Sequence, residues 1–260
     1  VEWRVINASD YGMPQKRKRV YIMAYRKNTS AYKKIKKLNK LGLCTNWIFN
    51  DGLMQDSFPM TFSDMFADSF PIGGSVEDIS ENHEQFNESK RPFANAGLII
   101  GRQVFTAKGK ALFDGEQTIL DDIVEKNEDK VPDEFFIDES DLKEWEKAKN
   151  AKSIPRVSKD GYEYNYSEGN MAFPDKLDRP SRTIVTGEGG RSVSRFKHVI
   201  QTNSGRYRRL LPLELERLNM FDDDWTVGAP DTKRAFFMGN ALVVGIVEKL
   251  SNSLLKEINK

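Results

Sequence analysis

The chain has 260 residues, of which 38% are hydrophobic and 30% are charged, and its formal net charge is +1. This composition is typical of a globular chain that forms one large domain or two small ones. The small net charge excludes a general polycation, so any nucleic-acid surface must come from locally clustered cations. The sequence has no apolar run of about eighteen residues, which excludes a membrane-spanning helix, and no apolar signal segment.

Cysteine and histidine are scarce in this sequence. A single cysteine, Cys44, excludes an internal disulfide framework and fits a reducing compartment. With only His83 and His198 beside that thiol, a metal site built from cysteine and histidine ligands is not expected. The sequence starts at Val1, without an initiator Met, and enters a strand-like segment at once. We therefore expect it to be a fragment or a processed piece of a protein.

The first segment of the chain predicts a pair of strands. Residues 1–6 alternate apolar and polar side chains, and residues 20–25 are rich in strand formers. Glycine and proline mark a turn in residues 12–19 between them, so the strands are predicted to pair antiparallel. If the second strand begins near Arg17, then Arg17 and Arg19 share one face. Two guanidinium groups there suit an anion or a planar polar ring, and the alternative is a solvated basic turn.

Two further elements are predicted in the first half of the chain. Residues 26–40 are rich in lysine and carry apolar residues at every third position, which predicts a short amphipathic helix that ends at Gly42. Its lysine face is either simply solvated or in contact with phosphates. Residues 95–106 predict a strand that Gly101 interrupts.

The middle of the chain is acidic. Acids outnumber bases over residues 114–146, and phosphates would repel this segment, so we expect it to face solvent or a partner, away from any nucleic acid. Residues 138–149 place acids early and lysines late, which matches the macrodipole of a helix.

A glycine-rich stretch follows the acidic segment. Gly187, Gly189 and Gly190 leave backbone N–H groups accessible to a ligand, and Arg191 and Arg195 flank them. The phosphate loop of NTPases needs Gly-x4-Gly-Lys-Ser/Thr, which is absent. A nucleotide-binding enzyme of another kind therefore remains open as an interpretation of this stretch.

The last part of the chain predicts two helices. One begins near Pro212 and carries leucines on one face. The other is predicted to begin at Asn240, which is a good N-cap residue, and to run to Leu255 as an apolar closing helix.

Several of these stretches together resemble the C-terminal motifs of the DNA (cytosine-5) methyltransferases. Residues 7–19 read Asn-Ala-x-Asp-Tyr-Gly-x-Pro-Gln-x-Arg-x-Arg and resemble motif VIII, in which Gln15, Arg17 and Arg19 match. The Pro-x-x-Thr-Ile pattern of residues 180–184 resembles the Thr-Leu or Thr-Ile element that closes the target-recognition region of these enzymes.

The two remaining motifs of the family also have counterparts. Residues 207–225 resemble motif IX, Arg-x-Leu-Thr-Pro-Arg-Glu-x-x-Arg-x-x-Gly-Phe-Pro-Asp. This sequence departs from that motif at Leu211, Leu213, Met220 and Asp222. Motif X, Gly-Asn-Ala-Val-Pro, is matched by Gly239, Asn240 and Ala241, whereas Val243 stands where many members have proline.

The resemblance implies an α/β fold: the C-terminal part of a Rossmann-like methyltransferase catalytic core plus a mixed α+β target-recognition lobe. It implies core strands in residues 1–26, a target-recognition domain in residues 27–206 and a return to the core in residues 207–260. The implied activity transfers a methyl group from S-adenosylmethionine to C5 of a cytosine flipped out of a specific double-stranded DNA sequence. A cytoplasmic restriction-modification enzyme, bacterial or phage-encoded, is implied as well.

The resemblance also implies roles for individual residues. Arg19 is expected to donate to the cytosine O2 as charge builds on the ring, while Arg17 and Gln15 orient that pocket and touch nearby phosphates. The cofactor pocket is expected to be lined by Asn240, Gly239 and Ala241. DNA contacts are expected from Thr183, Arg191, Ser192, Ser194, Arg195, Lys197 and Arg102, with Arg156 as a further candidate for guanine recognition.

Parts of the family pattern are absent from this sequence. The family's nucleophile lies in a Pro-Cys dipeptide that precedes motif VIII, but Cys44 follows Leu43 and comes after that motif. The Glu-Asn-Val segment and the Phe-x-Gly-x-Gly cofactor loop are also missing. We therefore expect Cys44 to be a buried small apolar residue. The chain is expected to be inactive alone and to need an N-terminal catalytic part, from the same gene or a separate chain; the alternative is a non-catalytic DNA-binding module or regulatory subunit derived from such an enzyme.

Overall fold

The opening strand β1 (Glu2–Asn7) alternates buried and half-buried side chains and pairs antiparallel with β2 (Lys18–Met23), which confirms the predicted strand pair. The computed structural model describes residues 1–78 and 93–258. In it these strands form one side of a five-stranded sheet of order β2-β1-β4-β5-β3. The other strands of this sheet are β3 (Met60–Pro71), β4 (Ala96–Ile100) and β5 (Gln103–Ala111).

Strands β4 and β5 form an antiparallel hairpin rather than one interrupted strand. The chain reverses at Gly101 and Arg102, which both have positive φ. Glycine adopts this conformation without strain, which explains why the predicted strand over residues 95–106 divides at that point.

Helices occupy both halves of the chain, and each has a buried side. Within the described ranges, no helix has both the length and the apolar character needed to cross a membrane. The helices are α1 (Ser30–Lys40), α2 (Cys44–Asn46), α3 (Leu53–Ser57), α4 (Leu142–Lys149), α5 (Pro212–Leu218), α6 (Asp231–Asn240) and α7 (Val244–Ile258). Shorter turns are a π-helical one over Trp47–Asp51 and 3-10 turns over Ala8–Tyr11, Leu120–Asp122, Glu128–Lys130 and Asp133–Phe135.

The chain divides into two compact units. The first contains Val1–Gly12, Arg17–Glu116 and Gly245–Lys260, and the second contains Met13–Lys16 and Gln117–Val244. The implied domain boundaries after residues 26 and 206 do not coincide with these units. Residues 96–111 belong to the same sheet as the opening strands because β4 pairs with β1, and the chain returns to the first unit only at Gly245.

The core of the first unit lies between the sheet and its helices. Thr29 caps α1, since its Oγ1 accepts a hydrogen bond from the N–H of Tyr32, and this confirms the predicted lysine-rich helix. Helix α7 packs in this unit as well, where the hydroxyls of Ser57 and Ser253 are 2.7 Å apart. The buried apolar cluster consists of Ala31, Ile35, Cys44, Trp47, Ile48, Met60, Ala96, Leu98 and Ile100.

The second unit contains two hairpins and three helices. Strand β6 (Lys152–Val157) pairs with β7 (Glu163–Glu168), and β8 (Val199–Gln201) pairs with β9 (Tyr207–Arg209). The leucine face predicted for α5 is buried at Leu215 and Leu218. The core around it also contains Leu120, Ile123, Val124, Ile184, Ile200, Leu210, Ala235 and Met238.

The closing helix does not begin at Asn240, so that prediction is wrong. Asn240 is the last residue of α6, and its side-chain amide donates to the carbonyl oxygen of Phe236 at 3.2 Å. The backbone is extended at Ala241 (φ −66°, ψ 164°), which separates α6 from α7. Helix α6 is therefore an additional element that the sequence interpretation missed.

Candidate functional site

The two motif VIII arginines have different surroundings in the first unit. Arg17 is 2% exposed, and its carbonyl oxygen accepts the N–H of Ala8 at 3.1 Å. Burial, and after it the positive charge of Arg19, lower the pKa of Arg17. The side chain of Arg19 is exposed, and its Nη1 donates to the carbonyl oxygen of Lys18 at 2.8 Å. Arg19 is thus the accessible guanidinium of the pair.

The turn before these arginines, Met13–Lys16, belongs to the second unit. The N–H of Ser181 donates to the Pro14 carbonyl at 2.8 Å, and the N–H of Lys16 donates to the Ser181 carbonyl at 2.7 Å. The hydroxyl of Thr183 donates to the Lys16 carbonyl. Thr183, predicted to contact DNA, therefore holds this turn.

Gln15 is fully buried and acts as a bridge within the second unit. Its Nε2 donates to the carbonyl oxygen of Leu218 and to Oδ1 of Asn219, each at 2.8 Å. Asn219 in turn donates to the carbonyl oxygen of Met238 at 2.9 Å and accepts the N–H of Val244 at its own carbonyl. Gln15 thus joins the motif VIII turn to the end of α5 and the end of α6.

Residues 186–197, called the glycine loop below, are held by hydrogen bonds that buried cationic side chains donate to the backbone of the loop. Lys197 Nζ donates to the carbonyl oxygens of Gly190 (2.9 Å) and Ser192 (2.7 Å), and to the Ser192 hydroxyl at 3.2 Å. Arg209 also donates to the Gly190 carbonyl, at 2.9 Å. Lys149 Nζ donates to the carbonyl oxygen of Lys197, and burial lowers the pKa of Lys149 to about 8. These bonds give the carbonyl groups of Gly190, Ser192 and Lys197 hydrogen-bond partners.

Two residues predicted to touch DNA are therefore interior. Lys197 and Arg195 are 3% and 7% exposed. Arg195 pairs with Glu168 at 2.6 Å and donates to the carbonyl oxygens of Asn150 and Gly169. Loop carbonyl groups and a carboxylate bind these cations, and direct contact of Lys197 and Arg195 with DNA stays a prediction. The sequence gives the positions of the charges but not the direction in which the side chains point.

The outer side of the glycine loop carries the accessible predicted residues. Arg191 is 72% exposed and its Nη2 lies 2.6 Å from Glu134 Oε2. Ser192 is exposed, and Ser194 is half-buried, its hydroxyl accepting the N–H of Phe196 at 3.4 Å. In the first unit Arg102 is exposed at the β4–β5 turn, where it donates to the Gly74 carbonyl. Arg156, on β6, lies 4.0 Å over the ring of Tyr166.

A cavity of about 380 Å³ opens beside the glycine loop in the second unit. Gly189 lies against α6, where an added Cβ would be 2.9 Å from the Cα of Thr232. Gly190 has a φ of 81°, which favours glycine. Close packing and backbone conformation thus account for these two glycines, while Gly187 faces open space.

The motif X residues differ in what they contact. Gly239 lies against the backbone of the Val185–Thr186 segment, where an added Cβ would be 2.3 Å from the Thr186 nitrogen. Ala241 packs against the core of the second unit. Asn240 is exposed, with one amide hydrogen bond to its own helix. Among these three residues, Asn240 has the side chain that is accessible to a ligand.

Comparisons with known proteins give the family of this chain. The family model for C-5 cytosine-specific DNA methylases matches residues 1–256. The chain belongs to this family. It is 35% identical over 260 residues to "Type II methyltransferase M.Sau3AI" from Staphylococcus aureus, an alignment that covers 98% of this chain and 58% of that protein. The chain thus spans somewhat more than half the length of this curated methylase.

Two solved methyltransferases are more distant. The Entamoeba histolytica methyltransferase EhMeth is 9% identical, with 89% of this chain and 62% of that one covered and a TM-score of 0.38. The S. pombe Dnmt2 methyltransferase is 13% identical, with 89% and 66% covered and the same TM-score. Such scores are too low to inform the fold of this methylase chain.

C-5 cytosine-specific DNA methylases use S-adenosylmethionine as the methyl donor. The resemblance to this family also implies a thiolate nucleophile, and Cys44 is the one cysteine of this sequence. Cys44 is 1% exposed, and burial raises its pKa to about 11. A buried thiol with this pKa is not an available nucleophile at neutral pH. Its place in the core of the first unit confirms the predicted small apolar role.

The motif IX loop of this chain keeps its turn despite one departure from the family pattern. Met220, which stands where the motif has glycine, has a φ of 62°. The left-handed turn is kept although a side chain that disfavours it occupies the position. The backbone bonds of Met220 to Arg217 (2.8 Å) and of Phe221 to Glu216 (3.0 Å) hold the turn after α5.

Proposed function

We propose that this chain is the C-terminal, DNA-recognition part of a DNA (cytosine-5) methyltransferase that transfers a methyl group from S-adenosylmethionine to C5 of a flipped cytosine. The observation that carries the proposal is the family match over residues 1–256 in a chain whose one thiol is buried and protonated at neutral pH. The chain is inactive alone. The Pro-Cys nucleophile and the cofactor glycine loop come from an N-terminal catalytic part, and the complete enzyme is bacterial or phage-encoded and cytoplasmic.

Exposed apolar side chains of the first unit support the proposal that an N-terminal catalytic part binds this chain. Val20 and Ile22 of β2 are 57% and 70% exposed. Helix α7 also presents Val247, Leu254, Leu255 and Ile258 to solvent. Exposed apolar side chains that recur along one strand or one helix are typical of surfaces that another part of a protein covers. We assign the exposed apolar side chains of β2 and of α7 to contacts with the N-terminal catalytic part.

In the proposed enzyme, Arg19 acts on the cytosine directly. Its exposed guanidinium donates to O2 of the base and stabilises negative charge that develops as the thiolate of the catalytic part adds to C6. Arg17 and Gln15 fix the segment that carries Arg19. Bound S-adenosylmethionine supplies the methyl group, and Asn240 is the motif X residue we assign to its pocket.

We also propose that the outer side of the glycine loop contacts duplex DNA. Arg191, Ser192 and Ser194 are assigned to the phosphate backbone, which positions the protein without selecting a sequence. We assign structural roles to the other three predicted residues: Lys197 and Arg195 hold the glycine loop, and Thr183 holds the motif VIII turn. Arg102 remains a proposed contact from the first unit.

DNA binding by the chain should be salt-dependent. Binding to a random-sequence duplex, measured by fluorescence anisotropy, is expected to weaken steeply between about 50 and 200 mM salt. Arg191→Ala should reduce the slope of log affinity against log salt by about 1, because one phosphate contact is lost. Lys143→Ala is the matched control, since Lys143 is an exposed cation in the acidic segment. Affinity that does not depend on salt would contradict the assigned phosphate contacts.

A non-catalytic DNA-binding module or regulatory subunit derived from such an enzyme is the second candidate. The buried Cys44 fits this candidate equally well, because neither role uses that thiol. The two candidates differ in whether methyl transfer appears when a polypeptide with the Pro-Cys and Phe-x-Gly-x-Gly segments is added.

A further inference from the structure

A buried row of side chains lies beneath the glycine loop in the second unit. Glu188 Oε1 is 2.8 Å from His198 Nδ1, and His198 Nε2 is 2.9 Å from the hydroxyl of Ser181. All three side chains belong to residues that are at most 6% exposed. The N–H of His198 also donates to Glu188 Oε2 at 2.9 Å. The imidazole is therefore fixed at both nitrogens.

The Ser181 hydroxyl has a second partner besides the imidazole. The Ser181 hydroxyl donates its single proton to the carbonyl oxygen of Arg182 at 2.8 Å. The Glu188 carboxylate and the Ser181 hydroxyl thus hold the two ring nitrogens of His198 in place. Burial raises the pKa of Glu188, but the charge and hydrogen bonds of His198 outweigh burial and hold that pKa below its usual range.

This arrangement differs from a hydrolytic Ser-His-acid triad. In such a triad the histidine accepts the serine proton so that the serine oxygen attacks a substrate. Here Ser181 is 3% exposed, so its oxygen is not accessible to a substrate. The row thus fixes the position of Ser181 and does not activate it.

Ser181 is also the residue that holds the motif VIII turn. Its N–H and carbonyl bond to Pro14 and Lys16, and Ser181 and Gln15 form a parallel bridge. Glu188, at the other end of the row, is a residue of the glycine loop. A continuous set of buried bonds therefore runs from that loop, through His198 and Ser181, to the turn that carries Gln15.

We propose that Glu188, His198 and Ser181 are positioning residues for methyl transfer. Through these three side chains, the conformation of the glycine loop determines the position of the motif VIII turn. The inference rests on the proposed function, because it assigns the loop to DNA and the turn to the cytosine pocket. A loop ordered by DNA holds Glu188, and Glu188 holds the turn through His198. Breaking the row loosens the turn and leaves the outer, DNA-facing side of the loop in place.

The test compares Ser181→Ala with Ser57→Ala. Both serines are buried and hydrogen-bonded, but the Ser57 hydroxyl bonds to Leu53, Lys249 and Ser253 of the first unit, whereas Ser181 bonds to the turn in the second unit. Hydrogen exchange of the Lys16 amide, followed by NMR in the full chain, should speed up by about fivefold to tenfold in Ser181→Ala. It should stay at the wild-type rate in Ser57→Ala.

Methyl transfer by the chain combined with its catalytic part gives the second readout. Ser181→Ala is expected to lower kcat by about ten- to hundredfold, with the Kd for DNA within about twofold of wild type because no phosphate contact changes. Equal exchange rates in the two variants, or an unchanged kcat, would overturn the inference. If the wild-type mixture transfers no methyl group, the proposed function fails instead, and the Lys16 exchange rate alone decides whether the row sets the turn.

Discussion

Arg19→Ala is expected to lower methyl transfer by the combined enzyme by about 10²–10³-fold, the range found when one donor to a developing negative charge is removed. Arg19 is exposed, and its guanidinium keeps donors available beyond the bond to the Lys18 carbonyl. The fall should appear in kcat, measured as transfer of a labelled methyl group at saturating DNA, because the bond strengthens as charge builds on the ring.

Two variants make this prediction specific. Lys18→Ala removes the neighbouring exposed cation from the other face of β2 and should change kcat by less than about threefold, since it affects only long-range charge. Arg19→Lys should retain part of the activity, because an ammonium keeps the charge but lacks the planar donor fork. Wild-type kcat in Arg19→Ala would remove the role assigned to Arg19.

Arg208→Met is expected to lower the free energy of unfolding by about 3–5 kcal/mol, because it leaves a buried carboxylate without its partner. Arg208 and Glu214 are both fully buried, and their two side-chain bonds are 2.7 and 2.9 Å long. Arg208 also donates to the carbonyl oxygens of Arg209 and Glu125. The loss should appear as a lower midpoint of urea unfolding.

The exposed pair of Arg179 and Asp178, 2.7 Å apart, is the control for this prediction. Its side chains are 51% and 69% exposed, so Arg179→Met should cost at most about 1 kcal/mol. Similar midpoints of urea unfolding for Arg208→Met and Arg179→Met would show that burial does not make the Arg208–Glu214 pair more stabilising than the exposed pair.

The strand pair and the lysine-rich helix could be predicted because their signals are local. Period-two alternation defines β1, and the glycine and proline of the intervening turn indicate the antiparallel pairing that the structure shows, for example between Val5 and Val20. The closing helix was misplaced because a Gly-Asn pair at a helix start looks the same as one at a helix end. Pro230 followed by Asp231 was the available signal for the start of α6.

The candidate site was less predictable because it depends on contacts between residues that are distant in sequence. Lys197 and Arg191 are both cations of one loop, yet one points inward to carbonyl groups and the other faces solvent. Charge alone does not distinguish them. Glu188 and His198 have no motif spacing, and their pairing arises only when β8 lies beside the glycine loop. Gly239 matches a cofactor motif, but the close approach of the Thr186 backbone is a second, steric reason for glycine at this position.

The most direct test measures labelled methyl transfer from S-adenosylmethionine to DNA by the chain alone and by the chain mixed with a polypeptide that carries the Pro-Cys and Phe-x-Gly-x-Gly segments. We expect no transfer by the chain alone and restored transfer by the mixture, with Cys44→Ala as active as wild type because the Cys44 thiol is buried. Transfer by the chain alone, or loss of activity in the Cys44→Ala mixture, would contradict the assignment of this chain as the recognition part of a methyltransferase.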